Sequence, residues 1–224
     1  MKHIRKKPEP QAFINWKLHH KDNKQLHYGS LVGDLKQEVK DALLAEQGYI
    51  CCYCERRLTN KNSHIEHLRP QSDPATDPLD YTNLLCSCQK LLDKGAPRHC
   101  GNLKGQWYDE ELLISPLDPT CETRFAFNAD GRIKPAQNQD LAAQETIERL
   151  GLGIPKLNNL RASAIEPFLD ASLSADELKL FVENYLEKNS SGKFGEFYMM
   201  IRYLFGNQQQ SVHRCIENEK LPSP

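Results

Sequence analysis

Cysteine is concentrated in one short stretch of the sequence. Six of the eight cysteines lie within fifty residues of a 224-residue chain: Cys51, Cys52, Cys54, Cys86, Cys88 and Cys100. Three of the eight histidines, His64, His67 and His99, fall in the same stretch. A chain of this length buries a core of its own and does not need disulfides to fold. The clustering therefore predicts a local metal site rather than a dispersed disulfide framework.

Composition excludes several classes of protein. Hydrophobic residues make up 39% of the chain and charged residues 26%, which is typical of a globular protein in water. No apolar run approaches the ~20 residues of a membrane span, and the first ten residues lack the apolar segment of a secretory signal. We therefore expect no membrane association and a cytoplasmic location, where thiols stay reduced and clustered cysteines favour metal binding. The net charge of −1 does not by itself indicate a nucleic-acid partner.

Helical periodicity dominates both ends of the chain. We expect residues 1–10 to be disordered, a first helix from Pro10 to about His19, and a second over Leu31–Gln47 with Ser30 as its N-cap. The turn at Asp130-Gly131 predicts a hairpin from Arg124 to Ile133. Four further helices are predicted over Leu141–Leu150, Pro155–Phe168, Ala175–Lys188 and Phe194–Phe205, the third beginning at a Ser174/Glu177 capping box.

The pair Cys51-x2-Cys54 has the spacing of a zinc knuckle, in which a tight turn brings two sulfurs onto one metal. A single pair is a weak signal, because redox proteins use the same spacing and would form a reversible disulfide between the two thiols. A second pair is required, and we favour Cys88 and Cys100. Cys52 and Cys86 are then spare, and Cys121 and Cys215 have no assigned role.

The order of motifs resembles the zinc-bearing HNH endonucleases. After Cys51-x2-Cys54 come Glu66-His67-x2-Pro70, Asn83-Leu84, Cys88, and finally Cys100-x3-Lys104. The resemblance implies a ββα-metal fold, also called a His-Me finger, in which four cysteines hold a structural zinc. It also implies that His67 is the general base, that Asn83 orients it, and that Glu66 helps to bind a catalytic divalent cation.

Two departures from the family pattern stand out. The segment 89–99 widens the second cysteine pair, and Gly101 stands where the family usually has His or Asn. We expect the missing cation ligand to be Asn102 or His99. His64 lies three residues before His67, a spacing that would allow a metal-binding pair on a helix. On a strand His64 would point elsewhere, and we expect it to support the site only indirectly.

A narrower resemblance covers roughly residues 30–135. The segments GYICCYCERRL, HIEHLRPQS, YTNLLCSC and HCGNLKG, followed by LISPLDPTCETRFAFNADGRI, resemble the HNH nuclease subunit of Septu and retron-linked phage-defence systems. That resemblance implies antiviral defence and a partner ATPase of the ABC/SMC kind.

The chemistry implied by the resemblance suits these residue types. Phosphodiester hydrolysis needs a base that deprotonates water and a metal that stabilises developing charge. A carboxylate and an amide suit Mg²⁺ or Mn²⁺, because both ions prefer oxygen ligands. Phosphates would be bound by cationic side chains near the motif, for which the candidates are Arg56, Arg57, Arg69 and Lys104. DNA is the expected substrate, with RNA and tRNA left open.

We therefore predict an α+β protein with a zinc-stapled ββα-metal core flanked by helices. Its three regions are an N-terminal lead-in over residues 1–29, an HNH nuclease domain over 30–135, and a helical C-terminal region over 136–224. The leading hypothesis is a metal-dependent endonuclease. The departure at Gly101 keeps open a second one, a zinc-bound module that binds nucleic acid or a partner without cutting.

Overall fold

A computed structural model describes residues 1–23, 26–92 and 94–206. Its helices are α1 Gln11–His19, α2 Gly33–Glu46, α3 Gly101–Lys104, α4 Leu141–Arg149, α5 Pro155–Ile165, α6 Ala175–Leu186 and α7 Tyr198–Phe205. Its strands are β1 Ser63–His67, β2 Leu84–Cys88, β3 Phe125–Phe127 and β4 Ile133–Pro135. The predicted mixture of helices and small sheets is confirmed. None of the helices in these ranges has the length and apolarity that crossing a membrane requires.

Strands β1 and β2 form an antiparallel pair at the centre of the cysteine-rich region. Ser63 lies opposite Cys88 and His67 lies opposite Leu84, so the two ends of the pair carry different chemistry. All five β2 residues are buried, which explains why the sequence of this strand does not alternate between apolar and polar residues. The short helix α3 follows the long loop after β2.

Helix α2 packs its apolar face against β2 and ends where the backbone turns left-handed at Gly48 (φ 59°). Its buried residues include Val39, Leu43 and Leu44, at helical spacing. The prediction that Ser30 caps this helix is wrong. Ser30 lies in a preceding 3₁₀ turn with its hydroxyl on His27, and α2 begins after Val32 without a side-chain cap.

The first ten residues are ordered, so the prediction of a disordered start is wrong. Met1 and Ile4 are buried, and Ile4 donates its N–H to the carbonyl of Pro116. Lys6 pairs with buried Glu46 (2.8 Å) and lies over the Tyr81 ring. Charged residues dominate this segment in sequence, and its two apolar anchors are too few to produce a periodic signal.

The C-terminal helices follow the predicted order, and the Ser174/Glu177 capping box is confirmed. Helix α7 begins at Tyr198 rather than at Phe194, because Phe197 adopts a left-handed conformation (φ 52°) that a continuous helix cannot contain. The extended residues before it contact the cysteine region, where Phe194 donates its N–H to Gly48 and Phe197 donates to Glu55.

One hydrophobic core contains residues from all three predicted regions, from Met1 through Leu84 to Ile201. The division into three regions therefore stays a prediction about sequence organisation. The predicted hairpin is present as β3 and β4, joined by a turn in which Gly131 has a φ of 80°. Residues 207–224, which include Cys215, lie outside the described residues.

Candidate metal centre and catalytic residues

Four predicted ligands converge on one point. The sulfurs of Cys51, Cys54, Cys88 and Cys100 all lie within 4.8 Å of one another, and all four residues are buried. The Sγ atoms of Cys54 and Cys88 are 3.7 Å apart. Two sulfurs at about 2.3 Å from one tetrahedral zinc are separated by about 3.8 Å. The cluster therefore has the ligand type, the number and the spacing of a structural zinc site.

Three different backbone features bring these thiols together. The turn from Cys51 to Cys54 is closed by the N–H of Glu55, whose φ is 63°, donating to the Cys51 carbonyl. Cys88 is the last residue of β2. Cys100 precedes α3 with a φ of 55°, and its N–H donates to Leu150. A tetrathiolate site of this kind ties segments together that are far apart in sequence.

The thiols of the cluster ionise unequally. Burial tends to raise the pKa of Cys51, but hydrogen bonds from neighbouring thiols, most of all Cys100, lower this pKa well below its ordinary value. Burial raises the pKa of Cys100 well above its ordinary value. A bound divalent cation supplies the positive charge that lets such thiols all become thiolates.

His99 belongs to the cysteine cluster. Its Nδ1 lies 3.1 Å from the Cys100 sulfur and 3.6 Å from the Cys88 sulfur, and burial lowers its pKa to about 4. Its Nε2 is buried and has no hydrogen-bond partner in the described residues. The alternative in which His99 completes the catalytic cation site is therefore not favoured, because the ring faces the thiols.

The remaining described cysteines are buried free thiols outside the cluster: Cys52, Cys86 and Cys121. Cys86 lies in the middle of β2, with its sulfur 3.8 Å from the carbonyl of Lys40. Burial raises the pKa of both Cys52 and Cys86 well above the ordinary value. These thiols behave as small apolar side chains of the core.

Glu66 lies near the end of β1, and its two carboxylate oxygens face different groups. Oε1 accepts a hydrogen bond from the Tyr53 hydroxyl (3.2 Å) and pairs with the Lys104 ammonium (3.1 Å). Oε2 lies 3.5 Å from Nε2 of His64. Glu66 is only 7% exposed. One oxygen is thus held by protein donors, whereas the other points to an imidazole.

His67 is the last residue of β1. Its Nε2 lies 2.9 Å from the carbonyl of Pro78, and its ring packs edge-on against Tyr28. A carbonyl can only accept, so Nε2 carries the proton and Nδ1 is the basic nitrogen of the neutral ring. Burial lowers the pKa of His67 below its ordinary 6.5, which favours that neutral form. The ring therefore has the tautomer and charge of a general base.

Asn83 holds the loop that follows His67. Its Oδ1 accepts from the N–H of Arg69 (2.8 Å) and its Nδ2 donates to the carbonyl of Arg69 (3.0 Å). Its carbonyl also accepts from the N–H of Leu68. Asn83 therefore positions the backbone next to His67 rather than contacting the ring.

Asn102, at the start of α3, contacts a backbone carbonyl rather than Glu66, which differs from its predicted role as a cation ligand. The amide of Asn102 donates to the carbonyl of Gln89 (2.6 Å), whereas Gly101 is the residue that faces Glu66. Lys104 is 3% exposed, and its ammonium also donates to the carbonyl of His67 (3.0 Å). Lys104 therefore neutralises Glu66 from inside and is not placed to contact a phosphate.

The three predicted arginines occupy three kinds of position. Arg57 donates to the carbonyls of Phe194, Gly48 and Tyr49, so its guanidinium fixes the C-terminal segment to the cysteine turn. Arg56 lines an open cleft of about 180 Å³ together with Lys156 and part of Arg57. Arg69 lies on the surface over the Tyr108 ring and pairs with Glu110 (3.0 Å).

Two neighbours of Glu66 were not expected, Tyr53 and His64. A signal for His64 exists in the sequence, because residues two apart on a strand share a face and His64-Ile65-Glu66 has this spacing. The spacing of His64 and His67 instead suggested a helical pair. Nothing in the sequence indicates that the Tyr53 hydroxyl reaches Glu66.

Comparison with known proteins confirms the resemblance. The chain is 32% identical over 139 residues to the HNH endonuclease assigned to retron Vc95 of Vibrio cholerae serotype O1 biovar El Tor. This match covers 59% of the chain and 65% of that relative. The chain is also 25% identical over 219 residues to the HNH endonuclease assigned to retron Ec83 of Escherichia coli. This second match covers 80% of the chain and 85% of that relative. In both names the activity is an inferred one. No family model matches the chain.

Proposed function

We propose that the chain is a metal-dependent HNH endonuclease that hydrolyses phosphodiester bonds. The observation that carries the proposal is the arrangement at the end of β1. There the Oε2 oxygen of Glu66 faces the His64 imidazole and is not held by Lys104 or Tyr53, and the next residue, His67, has a basic Nδ1 and a pKa that burial lowers towards the neutral ring. The two retron relatives, whose names assign HNH endonuclease activity, support the same function.

In this proposal His67 and Asn83 carry out separate parts of the reaction. Nδ1 of His67 removes a proton from water as the water oxygen bonds to phosphorus and the bond to the leaving sugar oxygen breaks. Asn83 fixes the loop backbone at Arg69 and thereby the position of the His67 ring. The cation, when bound at Glu66, stabilises the charge that develops on the phosphate oxygens.

The proposed core is a ββα-metal unit made of β1, β2 and α3. The tetrathiolate cluster, which fits Zn²⁺, joins the end of β2 to the start of α3 at Cys88 and Cys100. It lies apart from the proposed chemistry and acts as a scaffold. A cytoplasmic location is part of this proposal, because thiols stay reduced there and can bind zinc.

Nucleic acid is the proposed substrate class, with DNA favoured. Arg69 lies two residues after His67 on the surface, and Arg56 with Lys156 lines the open cleft beside Cys88. Arg69 can contact a phosphate near the scissile bond, whereas the cleft, at the Cys88 end of the strand pair, can contact phosphates further from His67. Because of their contacts, Lys104 and Arg57 are left out of this proposed interface.

The proposed biological role is effector of an anti-phage system, acting with an ATPase of the ABC/SMC type. Support comes from the retron names of both relatives and from the sequence resemblance described above. The cleavage test therefore includes the ATPase as a variable.

The test is cleavage by the purified zinc-loaded chain. Supercoiled plasmid, single-stranded DNA and structured RNA are each incubated with Mg²⁺ or Mn²⁺, with EDTA as the control, with and without an ATPase encoded beside the gene. We expect cation-dependent cutting of DNA. Retention of DNA in a gel shift, with no cutting under any of these conditions, would favour the non-cutting module instead.

A further inference from the structure

The space beside Gly101 is already filled. A Cβ placed on Gly101 would lie 2.3 Å from Oε2 of Glu66 and 3.0 Å from Nε2 of His64. No real Cβ tolerates the first of these distances. Position 101 therefore cannot carry a side chain while Glu66 and His64 stay where they are, and the ligand that the family pattern expects there cannot exist in this arrangement.

His64 brings an imidazole to that same place from the strand. It lies two residues before Glu66 on β1, so both side chains project from one face towards the start of α3. Nε2 of His64 and Oε2 of Glu66 are 3.5 Å apart. The His64 side chain is 26% exposed, so the pair can be reached from solvent.

We propose that His64 Nε2 is a ligand of the catalytic cation, together with Glu66 Oε2, and replaces the missing side chain at position 101. This assignment rests on the proposed function, because the cation concerned is the one used for cleavage. Adjacent ligands at about 2.1 Å from an octahedral cation are separated by about 3 Å. The observed separation requires an adjustment of only about half an ångström.

The electrostatics of Glu66 agree with this assignment. Its Oε1 is held by Lys104 and Tyr53, which orients the carboxylate and leaves Oε2 towards His64. Hydrogen bonds to the non-ligating oxygen are a common way of fixing a metal-binding carboxylate. The buried lysine lies on the Oε1 side, so it does not occupy the position between Oε2 and the imidazole.

The identity of the second ligand affects the choice of cation. Imidazole binds Mn²⁺, Co²⁺ and Ni²⁺ better than it binds Mg²⁺, which prefers oxygen ligands alone. A carboxylate–imidazole pair therefore narrows the sequence prediction of Mg²⁺ or Mn²⁺ towards the transition metal. We expect Mn²⁺ to bind more tightly than Mg²⁺ and to support cleavage at lower concentration.

The experiment is Mn²⁺ binding to the full-length zinc-loaded protein, followed by electron paramagnetic resonance. Titration gives the affinity, and the pulsed spectrum gives the nitrogen coupling that a directly bound imidazole produces. For wild type we expect one tight site with nitrogen coupling. His64→Ala should abolish the coupling and weaken binding by at least about tenfold. Exposed His19, at the end of α1, provides a matched control in His19→Ala, which should leave both unchanged.

His67→Ala separates this assignment from the proposed catalytic role. It should keep the nitrogen coupling, because His67 is assigned as base and not as ligand. Coupling that persists in His64→Ala, or that disappears in His67→Ala, would overturn the assignment, as would a wild type that binds no Mn²⁺.

Cleavage measured on the same proteins distinguishes the two proposals. If nothing is cut but the coupling is present and lost in His64→Ala, the metal site stands and the nuclease proposal fails. If DNA is cut while His64→Ala keeps the coupling, the nuclease proposal stands and the metal assignment fails.

Discussion

At the scale of single residues, the site depends on one glycine and one buried lysine. Gly101 leaves room for the Glu66 carboxylate, and Lys104 neutralises that carboxylate from the interior. Burying a charged group is costly unless it is paired and hydrogen-bonded, and Glu66 meets this requirement on its inner side. The outer oxygen, Oε2, is held by neither Lys104 nor Tyr53 and can contact a group that enters from solvent.

Gly101→Ala should be destabilising although alanine favours helices. The added methyl would overlap Oε2 of Glu66, and the rearrangement should lower the free energy of unfolding by about 1–3 kcal/mol. Gly153→Ala is the matched control, since its Cβ would meet only Ile147 at an ordinary 3.5 Å. Chemical denaturation of both zinc-loaded variants measures the difference. Equal stability of Gly101→Ala and wild type would contradict the packing described around Glu66.

At the scale of secondary-structure elements, local signals in the sequence predicted most of the fold. The turn at Gly131 and the capping box at Ser174 are readable because each depends on residues close in sequence. The start of α7 was not predictable in this way, because residues far along the chain determine it. Phe197, for example, has a left-handed conformation, and its N–H donates to the carbonyl of Glu55. The N-cap of α2 was mispredicted for a local reason, since the Ser30 hydroxyl contacts His27 in a preceding turn.

The same contrast explains how much of the site was predictable. The four cysteines, Glu66, His67 and Asn83 follow from motif order, since a family pattern specifies residue type and spacing. The contacts that set the environment of Glu66 come from Tyr53, His64 and Lys104, which three different segments supply. Strand spacing links His64 to Glu66, but no spacing rule links Tyr53 or Lys104 to it, so only the folded chain shows that these two side chains reach the carboxylate.

Helix α4 offers a test of an element boundary. Asp140 caps it by accepting from the N–H of Ala143, and it also pairs with Arg124. Asp140→Ala should lower the free energy of unfolding by about 1 kcal/mol at pH 7. The hydrogen bond from Arg124 lowers the pKa of Asp140 below its ordinary 3.8, so this contribution is present above that value and is lost as the pH falls through the folded-state pKa.

Denaturation curves at pH 7 and at pH 3 or lower measure this dependence. The gap between wild type and Asp140→Ala should narrow at the acidic end. Exposed Glu148, on the same helix, supplies the control Glu148→Ala, which should change stability little. A gap that stays constant through the acid range would show that Asp140 does not act through its charge.

At the scale of the whole molecule, the cysteine cluster joins segments that are far apart in sequence. Its ligands come from a turn after α2, the end of β2 and the residue before α3. Binding of zinc to such a site is coupled to folding, because the unfolded chain does not preform it. We therefore expect about one zinc per chain, and loss of cooperative unfolding when a strong chelator removes it.

Cys54→Ser tests this coupling against a matched buried thiol. It should lose zinc and fold poorly, whereas Cys86→Ala should keep the full zinc content and lose only packing energy. Elemental analysis and thermal unfolding of both variants give the comparison. Full zinc content in Cys54→Ser would contradict the ligand set, and a reversible Cys51–Cys54 disulfide without zinc would favour the redox alternative.

The most direct test of the catalytic assignment is the single-turnover rate of DNA cleavage with Mn²⁺ by His67→Ala. Wild type and His19→Ala are measured beside it, and all three proteins are first matched for zinc content and thermal unfolding. Loss of a general base should lower the rate by about 10²–10⁴-fold, whereas His19→Ala should cut at the wild-type rate. Cleavage by His67→Ala at the wild-type rate would show that His67 does not activate the water.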